Sequence, residues 1–575
     1  MKLKYPIFSV AVLLMAACSK EQPVETAAEM PAESGSPVAL AAAGGNPVAE
    51  QAIQEITADY MRDIIVEISG DDYEGRGPGS AGDAKARQYL AARMEEMGLQ
   101  PGAEDGSWEQ PFDLVGINAS QPDSWTFDGH GNSMTLAQWD DFIVGSGVQE
   151  ERVDVQDAEI VFVGYGIQAP EYDWDDYKGV DLEGKILLMM NNDPDWDPEL
   201  FGGETRLWYG RWDYKYLSAA RQGAAGAIII HTSPSAGYPF QVVQTSWTGE
   251  QFELPAGDEP RSPINAWITE DKARELVAMA GMNLDELREA AYNSDFKPVP
   301  LGITTSIGMD VGINRKETAN VLGLIPGSDP ELSEEVVIYT AHHDHLGIGT
   351  PNEEGDTIYN GAMDNASGVA QVMAIAKAIS ALPEPPRRSV LVALVGAEEQ
   401  GLLGSLYYAN NPTFAPGRIA ANLNYDGGNI FGHTHDVTYI GLGKSSIDEI
   451  VKLIAGEQGR VVKPDQYADK GYFYRSDQFS FAKIGVPAMY LDEGTDYVDR
   501  PPGWGREQKN HYTNVNYHQP SDEYSDSWNF DGMIDDAQLG YWTGLAIANT
   551  DDMPTWNPGD EFEAARIKAL SELED

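Results

Sequence analysis

The pattern of apolar and polar positions from about 296 to 550 alternates between two periods. Short apolar runs, EVVIYTA, SVLVALVG and IAANLNYD, predict buried strands, and the stretch ASGVAQVMAIAKAISAL predicts a helix between the first two. Strands that alternate with helices are typical of a doubly wound α/β sheet that is mostly parallel at its centre. We therefore predict this fold for the region.

Two other regions have a different pattern. Residues 52–125 are mixed and include the helical stretch AKARQYLAARMEEMG, which stops at Gly98. From 126 to 295, short strands such as AEIVFVGYG and GKILLMMN accompany YLSAARQGAAGAIIIH, which predicts a helix that leads into a buried strand. We predict that 126–295 is a compact β-rich domain, with its two ends close together, inserted between 52–125 and 296–550 of the larger domain.

The N-terminal residues 1–18 combine two lysines with an apolar run that is too short to span a bilayer, which indicates an export signal. Cys18 follows this run as in the lipobox of bacterial lipoproteins, although Met15 departs from the usual residue there. We therefore expect lipidation at Cys18 and a lipid-anchored periplasmic or cell-envelope protein, with secretion as the alternative. Residues 19–51 are predicted to be a flexible linker, and 551–575 an acidic tail with a short helix near its end.

Composition limits the possible partners. The chain of 575 residues is long enough for two or three domains. Its 92 acidic residues outnumber 38 basic ones, and the net charge of -54 repels phosphate backbones and anionic headgroups. We expect no nucleic-acid partner, and membrane contact only through the N-terminal lipid. Because Cys18 is the only cysteine, the chain has neither an internal disulfide nor a thiolate cluster for metal.

The candidate chemistry lies where the predicted strands end. HHDH, GAEEQGLLGS and NLNYDGG follow three strands, NGAMDNASG precedes a helix, and NYHQPSDEY lies in a polar loop at 516–524. Ligands of open α/β sheets bind outside the carboxyl ends of the strands, so we expect these motifs to converge. Imidazoles and carboxylates without sulfur suit zinc or a similar divalent ion, and a carboxylate can bridge two ions.

The motifs TAHHDHLG, NGAMDNASG, GAEEQGLLGS, NLNYDG and NYHQPSDE, in this order, resemble those of the co-catalytic zinc aminopeptidases. This family includes bacterial leucyl aminopeptidases and, more distantly, glutamate carboxypeptidase and glutaminyl cyclase. The segments VGYGIQAPEYDWDDYKGVDLEGKILL and AARQGAAGAIIIH resemble the protease-associated domain often found in the family. The resemblance covers roughly 52–550 and implies a zinc-dependent aminopeptidase with two zinc ions and peptide substrates.

The resemblance also implies five metal ligands. Asp364 resembles the carboxylate that bridges the two ions. His342 and Asp426 would complete one zinc site, and Glu399 and His518 would complete the other.

Other roles follow from the same motifs. Glu398 resembles the general base that takes a proton from a water shared by the metals and then protonates the leaving amine. Asp344 resembles the carboxylate that orients His342, and Asp522, four residues after His518, is expected to orient that histidine.

Two further expectations concern the backbone near these ligands. Residues two apart on a strand share a face, so His343 and His345 are expected to point away from the site that His342 faces. The resemblance also implies a cis peptide bond between Asp364 and Asn365.

The segment GYFYRSDQF leaves the substrate contacts open. The family has an oxyanion-stabilising tyrosine near a Ser-Asp pair, but the closest spacing here falls on Phe473, between Tyr472 and Tyr474. Either tyrosine is a candidate, and a core role is equally compatible with the sequence. Arg475 is a candidate contact for a substrate carboxylate or a salt-bridge residue.

Three alternative functions share this fold. A glutaminyl cyclase-like enzyme uses one zinc, a carboxypeptidase-like relative removes residues from the other end of a peptide, and a non-catalytic binding protein loses metal ligands. The complete ligand set of this sequence favours the zinc exopeptidase.

Overall fold

The computed structural model describes residues 47–197, 200–257 and 259–573. The predicted export signal, Cys18 and the linker as far as residue 46 lie outside these ranges. Across the described ranges, no helix is both long enough and apolar enough to cross a bilayer. The α-helices are α1 (Pro47–Ala52), α2 (Ala58–Ile68), α3 (Ala81–Glu96), α4 (Trp212–Arg221), α5 (Ser233–Ala236), α6 (Phe240–Ser246), α7 (Glu270–Met279), α8 (Leu284–Ala290), α9 (Ser367–Ser380), α10 (Leu403–Asn410), α11 (Ile447–Glu457), α12 (Gln478–Lys483), α13 (Trp504–Val515), α14 (Asp531–Asn549) and α15 (Glu563–Ser571).

Strands are distributed over the same ranges, and one of them, β13, is 27 residues long. The strands are β1 (Gln100–Pro101), β2 (Glu109–Ala119), β3 (Ser124–Gly129), β4 (Asn132–Ala137), β5 (Phe142–Ser146), β6 (Arg152–Phe162), β7 (Gln168–Ala169), β8 (Trp174–Asp175), β9 (Ile186–Met190), β10 (Gly226–His231), β11 (Gln251–Glu253), β12 (Ile264–Thr269), β13 (Val299–Ile325), β14 (Val336–His342), β15 (Gly347–Ile348), β16 (Ile358–Tyr359), β17 (Ser389–Val395), β18 (Ile419–Tyr425), β19 (Asp436–Ile440), β20 (Val461–Pro464) and β21 (Ala488–Asp492).

The central sheet has the order β11-β2-β13-β17-β14-β18-β21-β19-β20, read from its strand pairs. Its middle pairs, β17 with β14, β14 with β18 and β18 with β21, are parallel. Every residue of β14, β17 and β18 is buried, because helices cover both faces of a parallel sheet. The predicted doubly wound, mostly parallel α/β fold is confirmed.

A second sheet is built by strands β3–β6, β9, β10 and β12, which lie between β2 and β13 in the sequence. Within it, β10 pairs in parallel with β9 and β12, β12 runs antiparallel to β5, and β3 runs antiparallel to β4. The first part of β13 completes this sheet through antiparallel pairs with β3 and β6. The second part of β13 pairs with β2 and β17 in the central sheet. One long strand therefore connects the two sheets.

Two large hydrophobic cores correspond to the two sheets. In the first, α9 packs between the central sheet and helices α2 and α14, with Val369, Met373 and Ile375 fully buried. The second draws on residues between Val115 and Val311. The second core therefore extends beyond 126–295 at both ends, into β2 and β13, while the domain boundaries stay predictions.

Near the N-terminal end the structure differs from the prediction, and near the C-terminal end it agrees with it. Residues 47–51, predicted as part of the linker, belong to helix α1, where Ala49 is buried and its carbonyl accepts a hydrogen bond from Tyr541 at 3.1 Å. Buried apolar contacts explain why these residues are ordered against the core. Near the other end, α15 is the short helix expected in the acidic tail, and it buries Arg566 and Ala569.

Candidate active site

Parallel strands of the central sheet end at one edge, and a predicted site residue follows each of them. His342 is the last residue of β14, and Asp426 comes directly after β18. Glu398 follows β17 after a sharp turn in which Ala397 has a left-handed conformation with φ 56°. The carboxyl ends of these strands therefore bring an imidazole and two carboxylates to the same crevice.

Two imidazoles lie on opposite sides of the Asp364 carboxylate. His342 Nε2 is 3.2 Å from Asp364 Oδ1 and 3.2 Å from Asp426 Oδ1. His518 Nε2 is 3.4 Å from Asp364 Oδ2 and 2.9 Å from Glu399 Oε2. The five predicted ligands thus form two groups, and each oxygen of Asp364 belongs to a different group.

The loop that carries Asp364 is tied to the end of β18 through its neighbour. The peptide bond between Asp364 and Asn365 is cis, as predicted. The Asn365 side chain donates to Tyr425 O at 2.9 Å and accepts from Gly427 N at 2.9 Å. These two bonds fix the loop to the residues on either side of Asp426.

Asp522 also holds this loop. Its carboxylate accepts hydrogen bonds from the backbone N–H of Met363 and of Asp364, both at 3.0 Å, and from Tyr512 Oη at 3.1 Å. The prediction that Asp522 orients His518 is therefore wrong. Although only four residues separate Asp522 from His518, the chain turns between them and directs the Asp522 carboxylate to the backbone of Met363 and Asp364.

Asp344 fixes the turn that carries the two glutamates. Its carboxylate accepts from the backbone N–H of Glu398 at 3.0 Å and of Glu399 at 3.4 Å. Its Oδ1 is 3.8 Å from His342 Nδ1, while the backbone carbonyl of Asp344 is 3.2 Å from that nitrogen. Burial raises the pKa of Asp344 to about 8. The orienting role of the Asp344 carboxylate toward His342 stays a prediction.

The adjacent glutamates have opposite shifts in pKa. Burial raises the pKa of Glu398 well above its ordinary range, with His342 opposing this shift and Asp426 adding to it. Burial acts on Glu399 in the same direction, as does Asp364, but the imidazoles of His518 and His345 outweigh both and lower its pKa. Neighbouring carboxyl groups with pKa values shifted apart are typical of a proton carrier beside a permanently ionised group.

The two other histidines of HHDH differ from each other. His343 Nε2 lies 3.1 Å from Ala319 O, away from the crevice, as predicted. The expectation for His345 is wrong, because its Nδ1 lies 2.5 Å from Glu399 Oε1. Strand β14 ends at His342, so the alternation of faces no longer applies two residues later.

The second imidazole group has a partner from the predicted insertion. Ser246, the last residue of α6, places its Oγ 2.9 Å from His518 Nδ1. The ring of His518 also stacks on Tyr517, with centroids 3.9 Å apart. Sequence reasoning missed Ser246, because nothing in the local pattern FQVVQTSW distinguishes it from other helical serines.

Replacing Ser246 by alanine is expected to weaken metal binding at the His518 group by about ten- to a hundredfold, the usual effect of removing a partner that orients a ligand histidine. With a metal on Nε2, Nδ1 would carry the proton and the Ser246 hydroxyl would accept a hydrogen bond from it. Metal titration of the variant followed by calorimetry measures the effect. Thr245→Ala, on the same helix with its hydroxyl bonded to Gln241 O, is the control, and equal affinities of the two variants would contradict the assignment.

The predicted substrate contacts separate into two groups. Tyr472 and Arg475 line the cavity beside Glu398. Tyr474 instead donates to Glu561 Oε1 at 2.6 Å and packs in a hydrophobic cluster with Phe479. Tyr474 therefore has the position of a core aromatic residue, while Tyr472 has that of a candidate contact.

The donor set of the crevice fits divalent metal ions. His342, Asp364 and Asp426 each offer a ligand atom within 4.8 Å of the others. Nε2 of His518 is buried and forms no hydrogen bond of good angular geometry, although Glu399 Oε2 is 2.9 Å away. Throughout the part of the chain that the structure describes, no lysine or arginine forms an ion pair with these carboxylates. Imidazole and carboxylate ligands whose charge is not neutralised suit zinc.

Comparison with known proteins agrees with this chemistry. Residues 320–541 match the profile of the family described as Peptidase family M28. Leupeptin-inactivating enzyme 1 of Streptomyces exfoliatus is 29% identical over 180 residues, which cover 31% of this chain and 36% of that protein. Aminopeptidase NAALADL1 of Mus musculus is 24% identical over 291 residues, which cover 42% of this chain and 35% of that protein. The chain spans about a third of the length of these relatives.

Among solved structures, the aminopeptidase from Aneurinibacillus sp. strain AM-1 superimposes with a TM-score of 0.52 and 19% sequence identity. The alignment covers 89% of this chain and 98% of that one. At this identity the likeness shows a shared fold. The resemblance inferred from the five motifs is confirmed by the family match.

Proposed function

From the premise that residues 320–541 form a domain of peptidase family M28, we propose that the chain is a zinc-dependent exopeptidase that removes N-terminal residues from peptides. The observation that carries this proposal is the pair of imidazole and carboxylate groups that share Asp364. We further propose two zinc ions, with His342 and Asp426 as the other ligands of one ion, and Glu399 and His518 as those of the second.

Glu398 and Asp344 have different roles in the proposed hydrolysis of the amide bond. Bound zinc would supply Lewis-acid polarisation of the scissile carbonyl and a lower pKa for water. Glu398 accepts a proton from the attacking water as the water oxygen forms a bond to the carbonyl carbon. Glu398 then delivers that proton to the amine nitrogen as the C–N bond breaks. Burial favours the protonated form of Glu398 between these two steps. Asp344, through the backbone of Glu398 and Glu399, positions both carboxylates.

Removal of metal is expected to abolish hydrolysis and lower the melting temperature. The test compares amino-acid p-nitroanilides and dipeptides before and after treatment with a chelator, and again after zinc is restored. A metal that binds only the folded chain stabilises it by mass action, by about 2.7 kcal/mol at a hundredfold excess over Kd. Chelator-resistant hydrolysis, or no hydrolysis of any peptide by the zinc-loaded protein, would refute the proposed function.

We also propose an identity for the inserted region and a lipid anchor for the chain, on which the geometry of the crevice gives no information. Residues 126–295 would be a protease-associated domain, an assignment supported by the resemblance of their sequence and by the separate hydrophobic core in this region. The protein would be exported and anchored through a lipid on Cys18, an assignment supported by the apolar run that precedes this cysteine. Membrane fractionation of the wild type and of Cys18→Ser tests the anchor.

A further inference from the structure

Two cavities meet at Glu398 and Glu399, and beyond these glutamates one cavity is mostly acidic while the other carries cations. Both cavities are lined by Glu398 and Glu399. One of them is also lined by the carboxylates Asp426, Asp492 and Glu493, with Lys509 paired to Asp492. The other extends along the inserted region and is also lined by Arg211. Arg475 lines both cavities.

Arg475 lies between aromatic rings and has no acidic partner. Its guanidinium carbon is 5.3 Å from the ring centroid of Tyr238 and 5.0 Å from that of Tyr472. The Tyr517 side chain is hydrogen-bonded to this group, and none of the carboxylates in the described ranges lies within ion-pair distance of it. Gly237, at φ 86°, leaves space for it, because a Cβ at that position would lie 3.2 Å from Arg475 Nη1.

Arg211 is only weakly neutralised. Its side chain is 13% exposed, and its Nε is 3.7 Å from Asp213 Oδ1. That nitrogen is buried without a hydrogen bond. Burial lowers the pKa of Arg211, Asp213 opposes this shift, and the charge of Arg475 adds to it. Arg211 and Arg475 also line the same cavity, so it carries two positive charges.

Burying two such cations is costly unless an anion joins them. Arginine binds carboxylates through paired, charge-assisted hydrogen bonds, which are among the stronger ones in proteins. We therefore expect the substrate to supply the anion in this cavity, as a carboxylate.

We propose that Arg211 and Arg475 bind the C-terminal carboxylate of a dipeptide whose peptide bond lies at Glu398. This inference rests on the proposed function and specifies its substrate. The free ammonium group of a dipeptide would face the carboxylate-lined cavity, and its carboxylate would face the arginines, so the two walls match a zwitterion. Two extended residues span about 7 Å, which places both charges close to the scissile bond.

An acidic side chain on the second residue is the other source of a carboxylate. The cavity favours the C-terminus, because Trp212, Val242, Val243 and Trp247 also line it. These apolar side chains suit an apolar second residue, whose only anionic group is its C-terminal carboxylate. Hydrophobic dipeptides are therefore the expected substrates.

The test compares kcat/KM of the zinc-loaded protein for Leu-Leu, Leu-Leu-amide, Leu-Glu-amide and leucine p-nitroanilide. The free dipeptide is expected to exceed its amide by about ten- to a hundredfold, the range of a hydrogen bond to a charged group, with most of the difference in KM. Arg475→Met and Arg211→Met are expected to remove this preference, and Arg475→Lys to retain part of it. Arg221→Ala, which is on the same helix as Trp212 and ion-paired with Glu259 at 3.6 Å, is the control and should retain all of it.

Binding without turnover gives a second measurement. In Glu398→Gln protein, calorimetry should show tighter binding of Leu-Leu than of its amide, and the added Arg475→Met change should make the two equal. Equal kcat/KM for acid and amide in the wild type would overturn the proposal, while hydrolysis of the p-nitroanilide would leave the exopeptidase function standing. A preference for Leu-Glu-amide over Leu-Leu would overturn the C-terminal assignment. Failure to hydrolyse all four compounds would instead reject the proposed function.

Discussion

Replacing Glu398 by glutamine is expected to lower kcat by at least about a hundredfold, the usual effect of losing a general base. The amide has the shape of the carboxylate but cannot accept the proton of the attacking water. Glu398 Oε2 lies 3.9 Å from His342 Nε2, farther than the 3.2 Å of Asp364 and Asp426, so bound metal and Tm should stay close to the wild-type values. Measurements of kcat, metal content and Tm on one preparation test all three expectations.

The neighbouring residue provides the matched comparison. Glu399 Oε2 lies 2.9 Å from His518 Nε2, so Glu399→Ala should lose metal from that group and, by mass action, should lower Tm as well. If Glu398→Gln instead loses a metal, or keeps nearly wild-type turnover, the two roles have been assigned in the wrong order.

Much of this crevice was predictable because a parallel sheet places the ends of its central strands at one edge. The strands that carry His342, Glu398 and Asp426 are continuous apolar runs, each followed at once by polar residues. A pattern of this kind predicts both the buried strand and the point at which it ends. The alignment of neighbouring strands then brings together residues that are up to 84 positions apart in the chain, such as His342 and Asp426.

Contacts made by the irregular chain could not be predicted in the same way. His345 lies beyond the end of β14, where strand alternation has no meaning, and it contacts Glu399. Asp522 binds backbone N–H groups, which any sequence provides. Ser246 reaches His518 from 272 positions away, and this contact depends on how the inserted region packs against the crevice. Local sequence carries no signal for such contacts.

The boundaries of the inserted region are also difficult to predict from the sequence. A change in pattern near 126 and 295 indicated a separate domain, but the second core extends from Val115 to Val311. Strand β13 alternates regularly between buried and exposed residues up to Val311 and is then shared with the central sheet. A strand that continues through a boundary retains its period, so periodicity alone does not locate the boundary.

Arg76 has a structural role that no pattern in the sequence predicts. Its side chain is fully buried beneath the crevice. It donates to His343 O at 2.8 Å, Asn360 O at 2.7 Å and Gly361 O at 2.8 Å, and to Ile68 O at 2.7 Å. Burial lowers the pKa of Arg76 to about 10, with Asp344 and other carboxylates opposing the shift, so the group stays charged at neutral pH. It therefore joins the loops that carry the ligands to helix α2.

Replacing Arg76 by methionine is expected to lower the free energy of unfolding by about 4 kcal/mol, because several buried carbonyls lose a charged donor and each unmet partner costs about 1–3 kcal/mol. Asp344, Asp522 and other nearby carboxylates also lose a buried cation that favours their charged forms. Arg76→Lys should recover only part of the loss, since a single ammonium cannot reach carbonyls on three segments. Urea denaturation, monitored with and without zinc, measures both changes.

The control is Arg152→Met, an exposed arginine whose ion pair with Asp310 spans 2.9 Å and should contribute no more than about 1 kcal/mol. Because Arg76 holds residues next to His342 and Asp364, its loss should weaken zinc binding as well as stability, and the zinc-dependent part of the stabilisation should shrink. A loss of less than 1 kcal/mol, or an unchanged response to zinc, would show that the loops are held by other contacts, with Asn365 and Asp522 as the first to test.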